Sequence, residues 1–251
     1  VGDITISGNN VQLSGDGEGG SARNETLTNT ASVTGNLIIS GNNAVIRGID
    51  FTSVGEKAIS FTTGAQNIVF QDCKFVAGAG VGDDSKWWYG QHFGGNVTVQ
   101  NCRVEGFTSW MLADFSSTSS NTMEQALVRV RIKRNYFLNN RGSIAARGKL
   151  GTPMKLCQYS DNKFESDELH PSFWDQTEAS NSILKVVIKD NEAIYPIGND
   201  TAPSQKRGFA QVWSKDPKPF TIEYSGNTIS HLRFGLKVAL SDGFYSPATL
   251  D

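Results

Sequence analysis

Three cations at alternate positions of one segment are the first candidates for chemistry in this sequence. Arg129, Arg131 and Lys133 are separated by Val130 and Ile132, which is the alternation of a half-buried β-strand. The three cations would therefore share one outward face. Because guanidinium and ammonium groups bind anionic oxygens, this face is predicted to hold an anionic polysaccharide or an acidic partner. The alternative is a solvated strand face whose charges discourage aggregation.

Two further cations extend the predicted stripe. Lys185 and Lys189 flank an apolar run two repeats further along the chain, and Gln158 occupies the repeat between. Since a parallel stack aligns equivalent positions of successive repeats, these residues are expected to lie on the same sheet. The net charge of the chain is only −2, so no general attraction to nucleic acid is expected.

A cluster of aromatic side chains is the second candidate. Residues 78–95 are rich in glycine and include Trp87, Trp88, Tyr89 and His92. Flat aromatic rings stack on sugars and also anchor protein interfaces. This segment is therefore predicted to be a protruding loop that contacts neighbouring chains or glycans. The alternative is that its rings pack back onto the body of the protein.

Composition favours an all-β chain. Only 19% of the 251 residues are charged, and glycine outnumbers proline by 26 to 7, which is typical of short strands joined by polar turns. No run approaches the roughly 20 apolar residues of a membrane helix, so no membrane insertion is expected. Three cysteines do not suggest a disulfide framework. Cys73, Cys102 and Cys157 are predicted to be buried thiols, and a Cys73–Cys102 bridge is left open.

An internal repeat indicates the fold class. The pattern apolar-x-apolar-x-(Asn, Asp or Gly)-(Asn or Cys) ends at Asn9, Asn42, Cys73, Cys102, Asn135, Asn162, Asn191 and Asn227, with spacings of 33, 31, 29, 33, 27, 29 and 36 residues. A period of about 30 residues is typical of a solenoid. The predicted fold is an all-β, single-stranded, right-handed parallel β-helix of about eight coils. Asparagine tolerates unusual backbone angles, and its amide can bond to the asparagine stacked above it.

The whole chain, residues 1–251, is predicted to be one β-helix domain. Segments near 78–95, 165–181 and 197–219 interrupt the repeat and are predicted to be loops, where solenoids usually carry function. The first residues begin directly in a strand without the pattern of a signal peptide. The chain is therefore interpreted as a processed product.

Residues 46–164 resemble the pectate lyase family. Segment 68–75 (IVFQDCKF) is similar to one strand of that family, and the Asn-Tyr-Phe run at 135–137 followed by Arg141 resembles its catalytic arginine segment. The resemblance implies a parallel β-helix. It also implies a lyase in which Arg141, with Arg147 in support, removes the C5 proton of a uronate.

The calcium site of that family is not reproduced in this sequence. The family's acidic calcium segment aligns with residues 85–89 (SKWWY), which leaves Asp83, Asp84 and Asp114 as a thin substitute. Calcium takes roughly six to eight oxygen ligands. No metal or other cofactor is therefore expected, with calcium kept only as an alternative that the resemblance implies.

Three functions remain open. The preferred one is a non-enzymatic structural β-helix at a virion surface or outside the cell. It would assemble as a homo-oligomer or with other virion proteins, and could contact glycans. The second is a calcium-independent pectate, pectin or other uronate lyase that uses Arg141 and the cationic stripe. The third is a non-catalytic glycan-binding protein. The preference follows from the altered lyase positions and from an analogy of fold with phage spikes and decoration proteins.

Overall fold

A computed structural model describes most of the chain. The described residues are 2–15, 19–62, 65–79, 85–89, 94–108, 111–113, 127–140, 144–147, 155–166, 173–176, 184–194, 208–214, 221–230 and 234–240. They form 25 β-strands and no helix. Accordingly, no helix in these ranges is long and apolar enough to cross a membrane.

The strands are short and follow one another closely along the chain. In order they are β1 (Ile4–Ile6), β2 (Gln12–Ser14), β3 (Ala31–Thr34), β4 (Leu37–Ile39), β5 (Val45–Arg47), β6 (Ile49–Ser53), β7 (Lys57–Phe61), β8 (Gln66–Gln71), β9 (Lys74–Ala77), β10 (Lys86–Tyr89), β11 (Gly94–Gln100), β12 (Arg103–Glu105), β13 (Met111–Ala113), β14 (Leu127–Lys133), β15 (Tyr136–Leu138), β16 (Ile144–Arg147), β17 (Leu156–Ser160), β18 (Lys163–Glu165), β19 (Phe173–Gln176), β20 (Lys185–Lys189), β21 (Glu192–Ile194), β22 (Gly208–Ser214), β23 (Thr221–Ser225), β24 (Thr228–Ser230) and β25 (Phe234–Leu240).

These strands form four parallel sheets. Sheet 1 has the order β1-β4-β7-β10, sheet 2 runs β2-β5-β8-β11-β14-β17-β20-β23, sheet 3 runs β3-β6-β9-β12-β15-β18-β21-β24, and sheet 4 runs β13-β16-β19-β22-β25. Each neighbour in a sheet is therefore three strands away in sequence. The predicted all-β class with parallel strands is confirmed.

The core consists of apolar rows that run across the sheets. In sheet 2, Phe70 pairs with Ile46 on one side and Val99 on the other, and all three side chains are fully buried. In sheet 3, Phe137 stacks on Phe164 with ring centroids 4.7 Å apart. Alternate residues of a strand point to opposite faces, so the residues between these positions form outward rows in the same register.

The turn between sheets 2 and 3 carries a row of stacked asparagines. The side-chain oxygen of Asn162 accepts hydrogen bonds from the backbone N–H and the side-chain amide of Asn135, at 3.0 and 2.9 Å. Asn191 accepts the same pair from Asn162, and Asn227 accepts it from Asn191. Asn135 in turn accepts the backbone N–H of Cys102 at 2.8 Å. The predicted stacking is confirmed from Asn135 onward.

The unusual backbone angles belong to the residue before each stacked asparagine. Arg134, Asp161 and Asp190 have φ between 55° and 58°, and Asn101, which precedes Cys102 in the same turn, has a φ of 53°. The stacked asparagines do not have positive φ. Asparagine and aspartate tolerate this left-handed region, and an arginine there is uncommon. The prediction that the stacked asparagine itself takes the unusual angles is therefore wrong.

The first two repeats belong to a different turn from the others. Asn9 and Asn42 follow β1 and β4, which pair in sheet 1, whereas Cys73 follows a strand of sheet 2. Phe70 pairs with Ile46, 24 positions earlier. The predicted equivalence of Asn9 and Asn42 with Cys73 is therefore wrong.

A second row of asparagines explains why the two turns look alike in sequence. At the turn from sheet 1 to sheet 2, Asn43 donates to Asn10 at 2.9 Å, Asn67 donates to Asn43 at 3.0 Å, and Asn96 donates to Asn67 at 3.1 Å. Asn10, Asn43 and Asn67 have φ between 54° and 58°. Both turns therefore need residues that tolerate positive φ and carry an amide.

The three cysteines are buried and free, as predicted. Burial and the neighbouring Cys73 thiol raise the pKa of the Cys102 thiol well above its usual range. Both thiols lie close to backbone carbonyls, Cys73 at 3.3 Å from the carbonyl of Gln71 and Cys102 at 3.4 Å from that of Gln100. They behave as small core residues.

Candidate functional site

The two tryptophans of the predicted aromatic loop are core residues. Trp87 and Trp88 lie in β10, which pairs with β7 in sheet 1, and both are at most 1% exposed. Their rings stack 4.6 Å apart, and Trp87 also contacts Phe75 and Phe137. The prediction that these indoles protrude and bind a partner is wrong, because strand pairing draws this part of the segment back against the core.

The other two aromatic candidates of that segment have no described side-chain position. Tyr89 ends the same strand, but its side chain lies outside what the structure describes, and His92 lies outside the described residues altogether. The other two predicted loops also contain strands, since β19 lies within 165–181 and β22 within 197–219, both in sheet 4.

The arginines implied by the lyase resemblance have no described side-chain geometry. Arg141 lies outside the described residues, and Arg147 ends β16, where only its backbone pairing with Gln176 is described. The alternative calcium residues Asp83, Asp84 and Asp114 also lie outside the described ranges. Within those ranges, no group of three His, Cys, Asp or Glu residues could hold a metal ion.

The cationic candidates lie together on the outer face of sheet 2. Arg129, Arg131 and Lys133 occupy alternate positions of β14, and the intervening Val130 and Ile132 are buried. Alternate residues of a strand are about 6.6 Å apart, so the three cations extend over roughly 13 Å. We call these three residues the cationic row.

Uncharged side chains, all but one of them polar, border the cationic row on both neighbouring strands. In register, Arg131 lies between Thr98 of β11 and Gln158 of β17, and Lys133 lies between Gln100 and Ser160. Arg129 lies between Asn96 and Leu156. Hydroxyl and amide groups on adjacent strands can hydrogen-bond to sugar hydroxyls, and the central cations attract anionic groups.

The cationic row has no internal partner in the part of the chain that the structure describes. There, none of Arg129, Arg131 and Lys133 forms an ion pair or a side-chain hydrogen bond. All three side chains are half-buried. A cation that no carboxylate neutralises can bind an external anion without first breaking an ion pair.

The other members of the predicted stripe differ from the cationic row. Lys185 and Lys189 lie on β20 of the same sheet, but Lys185 contacts Glu223 at 2.5 Å and Lys189 lies 3.8 Å from Asp190. Val187 occupies the outward position between them. The sequence predicted their sheet correctly, but it did not reveal the paired carboxylates.

Sequence reasoning missed a second charged cluster, which lies on sheet 3. Tyr136 donates its hydroxyl to Glu165 at 3.0 Å, and its ring lies between Arg103 and Lys163, whose charged groups are 5.4 and 4.7 Å from the ring centroid. Arg103 pairs with Glu105 at 2.9 Å, and Lys163 lies 3.5 Å from Glu165. We call these five residues the paired cluster.

A sequence signal for the paired cluster did exist. Arg103-x-Glu105 and Lys163-x-Glu165 both place a cation two residues before a carboxylate, on the outward positions of short strands. In the register of sheet 3, Tyr136 lies between Arg103 and Lys163. Burial, then the Glu165 carboxylate, raises the pKa of Tyr136 well above its usual range.

Comparison with known proteins adds no family to this description. No family model, no curated protein and no solved structure matches the chain. What is shown is an all-β chain with parallel sheets, and the function has to be inferred from its outward faces.

Proposed function

We propose that the protein is a non-enzymatic structural β-helix, at a virion surface or outside the cell, that contacts anionic glycans through the outer face of sheet 2. The observation that carries this proposal is the cationic row, Arg129, Arg131 and Lys133, which has no partner among the described residues. Anionic glycans are abundant at cell surfaces, so a protein that binds them is expected at a virion surface or outside the cell.

The proposal includes a right-handed parallel β-helix of about eight coils, formed by residues 1–251 as one domain. Two observations support it: sheets 2 and 3 each contain eight strands, and each strand pairs with the strand three places later. The right hand follows from the strong preference of parallel crossovers. In such a stack the outward residues of successive strands form continuous surfaces.

Two features support a structural role. Stacked asparagines connect successive strands at two turns, and aromatic rings stack inside sheet 3. These contacts repeat along the stack and favour a stiff rod. A stiff rod suits a protein that assembles with neighbouring chains, and its long faces suit an extended polymer.

The ligand class follows from the chemistry of the face. Guanidinium groups bind carboxylates and sulfates with two parallel hydrogen bonds, and the bordering amides and hydroxyls suit a ligand rich in hydroxyl groups. A polysaccharide that carries carboxylates or sulfates meets both conditions. A neutral polysaccharide would use only the bordering groups.

Binding assays with the whole chain test the proposal. We expect a uronate polymer and a sulfated polysaccharide to bind, an uncharged polysaccharide not to bind, and binding to weaken as salt is added. The triple variant Arg129→Gln/Arg131→Gln/Lys133→Gln should lose binding. The matched control Lys185→Gln/Lys189→Gln removes cations that already have partners on the same face, and it should keep most of the affinity.

Two results would contradict the proposal. Equal loss of binding in the triple variant and the control would mean that net charge, and not the cationic row, attracts the polymer. Release of unsaturated oligosaccharides from the uronate polymer, abolished by Arg141→Ala, would show a lyase and reject the non-enzymatic part. Sedimentation velocity of the wild-type chain tests whether it assembles with itself.

A further inference from the structure

A short hairpin departs from the parallel arrangement of the rest of the chain. Gly19 and Thr28 form an antiparallel bridge, and the backbone N–H of Glu25 donates to the carbonyl of Ala22 at 3.1 Å to close the turn. Glu25 has a φ of 61°, as expected for the last residue of such a turn. We call residues 19–29 the strap.

The base of the strap is fixed to early strands of the stack. The side-chain amide of Asn29 donates to the carboxylate of Asp50 at 2.7 Å and to the carbonyl of Asp72 at 2.9 Å. Asp50 belongs to β6, and Asp72 follows β8. These contacts place the end of the strap beside the turn between sheets 2 and 3.

The middle of the strap is held by one amide side chain. Asn101 accepts the backbone N–H of Ala22 at 2.8 Å and donates to the carbonyl of Gly20 at 2.9 Å. The same amide also donates to the carboxylate of Asp72 at 2.7 Å. Ala22 is fully buried, so the strap packs tightly against the turn at this point.

The tip of the strap reaches strands that lie far along the sequence. Arg23 forms ion pairs with Asp161 and, at 3.6 Å, with Glu192. Glu25 pairs with Lys163 at 3.3 Å. Both Arg23 and Glu25 are 138 positions away from their partners Asp161 and Lys163.

The strap therefore spans a large part of sheet 3. Its contacts run from Asp50 in β6 to Glu192 in β21, which are five strand spacings apart in the order of the sheet. At about 4.8 Å per spacing this distance is roughly 24 Å. In a stack of parallel strands, each strand otherwise contacts only its neighbours.

We propose that the strap is a latch that couples early and late strands, so that β20 and β21 open to solvent only when the strap is released. The ion pairs at its tip are partly exposed, with 29% of the Arg23 side chain and 45% of the Asp161 side chain accessible. Such pairs are individually weak and sensitive to salt. The latch is therefore reversible, and its tip releases before its middle, where Ala22 is fully buried.

Amide hydrogen exchange of the whole chain tests the latch. Arg23→Gln removes the two ion pairs of Arg23 at the tip, and we expect exchange in β20 and β21 to rise about three- to tenfold. The matched control is Arg47→Gln, which breaks an ion pair with Asp72. Because Asp72 keeps its own contacts with Asn29 and Asn101 in that control, the strap stays attached and exchange in β20 and β21 should be unchanged.

A charge swap adds a second test. Arg23→Asp with Asp161→Arg reverses the pair, and Arg134 shows that an arginine is accepted at the position preceding a stacked asparagine, with a φ of 56°. We expect the swap to restore slow exchange in β20 and β21 only in part, because the new carboxylate at position 23 faces the new guanidinium but repels Glu192. If neither Arg23 variant folds, the wild-type chain at ~1 M salt, where the Debye length is about 3 Å, should show the same faster exchange in these two strands. Faster exchange confined to the strap, or equal to that of Arg47→Gln, would overturn the latch.

Discussion

Sheets 2 and 3 have the same number of strands and share one turn, but the cations on their outer faces have different partners. On sheet 3, Arg103 and Lys163 each have a carboxylate within 3.5 Å and a tyrosine ring between them. On sheet 2, the cationic row has neutral neighbours in register on both sides. The same arrangement of strands therefore produces one group of cations that carboxylates neutralise and, in the cationic row, one group without such partners among the described residues.

The difference teaches how outward residues divide between stability and binding. On sheet 3, Tyr136 contacts Arg103 and Lys163 from the two neighbouring strands, and such contacts contribute to folding because the groups meet only when the strands are in register. Cations with neutral neighbours contribute little to folding and remain available to a ligand. Whether an outward cation stabilises the fold or stays available to a ligand is decided by two neighbours. These are the residue two positions away on its own strand and the residue in register on the adjacent strand.

Adding carboxylates beside the cationic row should turn it into a face like that of sheet 3. In Thr98→Glu/Gln100→Glu, the new side chains lie in register with Arg131 and Lys133. Each charge-assisted hydrogen bond that the ligand loses contributes about 1.5 kcal/mol, and the new carboxylates also repel it. We expect roughly a hundredfold loss of affinity for an anionic polysaccharide, measured by titration calorimetry.

The matched control for that variant is Thr98→Gln/Gln100→Asn, which changes the same positions without adding charge. It should keep affinity within about threefold, because surface changes of this kind alter little beyond the local contacts. The free energy of unfolding should stay within about 0.5 kcal/mol of wild type in both variants. Equal affinity of the carboxylate variant and wild type would mean that the ligand binds elsewhere.

The sequence predicted those parts of the fold that depend on local alternation. Buried and half-buried residues alternate along β14 and β17 as expected, and the stacked asparagines from Asn135 onward occupy the predicted positions. Two turns share the same local pattern, since each needs residues that tolerate positive φ and an amide that stacks. The sequence does not distinguish them, so the prediction places Asn9 and Asn42 in the wrong turn.

The remaining errors concern contacts between distant parts of the chain. A glycine-rich aromatic segment is compatible with either a loop or a strand. In the structure, part of it is strand β10, which pairs with β7 and buries Trp87 and Trp88. The strap could not be predicted, because Arg23 and Asp161 are far apart in sequence and their pairing depends on the register of the whole stack. The cationic row was predicted, but its lack of a carboxylate partner among the described residues depends on that same register.

Removing the central cation of sheet 3 should reduce stability without affecting binding. Lys163→Met keeps the length of the side chain but loses the contacts with Glu25, Glu165 and the Tyr136 ring. Since the lysine is largely buried among these groups, we expect the free energy of unfolding to fall by about 1–2 kcal/mol. Urea denaturation measures this change.

Polysaccharide binding of the same variant is the control, and it should match wild type. If Lys163→Met weakened binding as much as the triple glutamine variant of the cationic row, then sheet 3 would be part of the ligand site. The distinction between the two faces would then be wrong. A variant with unchanged stability would instead show that the paired cluster is not stabilising.

The smallest effect on stability is expected at Tyr136, whose hydrogen bond to Glu165 depends on pH. Burial and Glu165 raise the pKa of this phenol well above its usual range, so the folded state favours the protonated form. Its contribution to stability is fully present below about pH 10, the unfolded value, and is lost as the pH rises above 10 toward the folded pKa. Tyr136→Phe should lower stability at neutral pH by about 1 kcal/mol through loss of the hydrogen bond to Glu165. It should also make the free energy of unfolding fall less steeply as the pH rises above about 10.

Tyr224 provides the comparison that separates these two effects. Burial raises the pKa of Tyr224 to about 12, with no carboxylate involved, so its stabilising contribution is also lost from about pH 10 upward. Tyr224→Phe should therefore make the alkaline decline shallower but leave neutral stability closer to wild type, because no bond to a carboxylate is lost. Urea denaturation of both variants at neutral pH and at about pH 11 measures the difference. If Tyr136→Phe and Tyr224→Phe lost the same stability at neutral pH, the hydroxyl of Tyr136 would contribute nothing to the stability of the paired cluster. The cluster would then depend only on the contacts of Arg103 and Lys163 with the carboxylates and the aromatic ring.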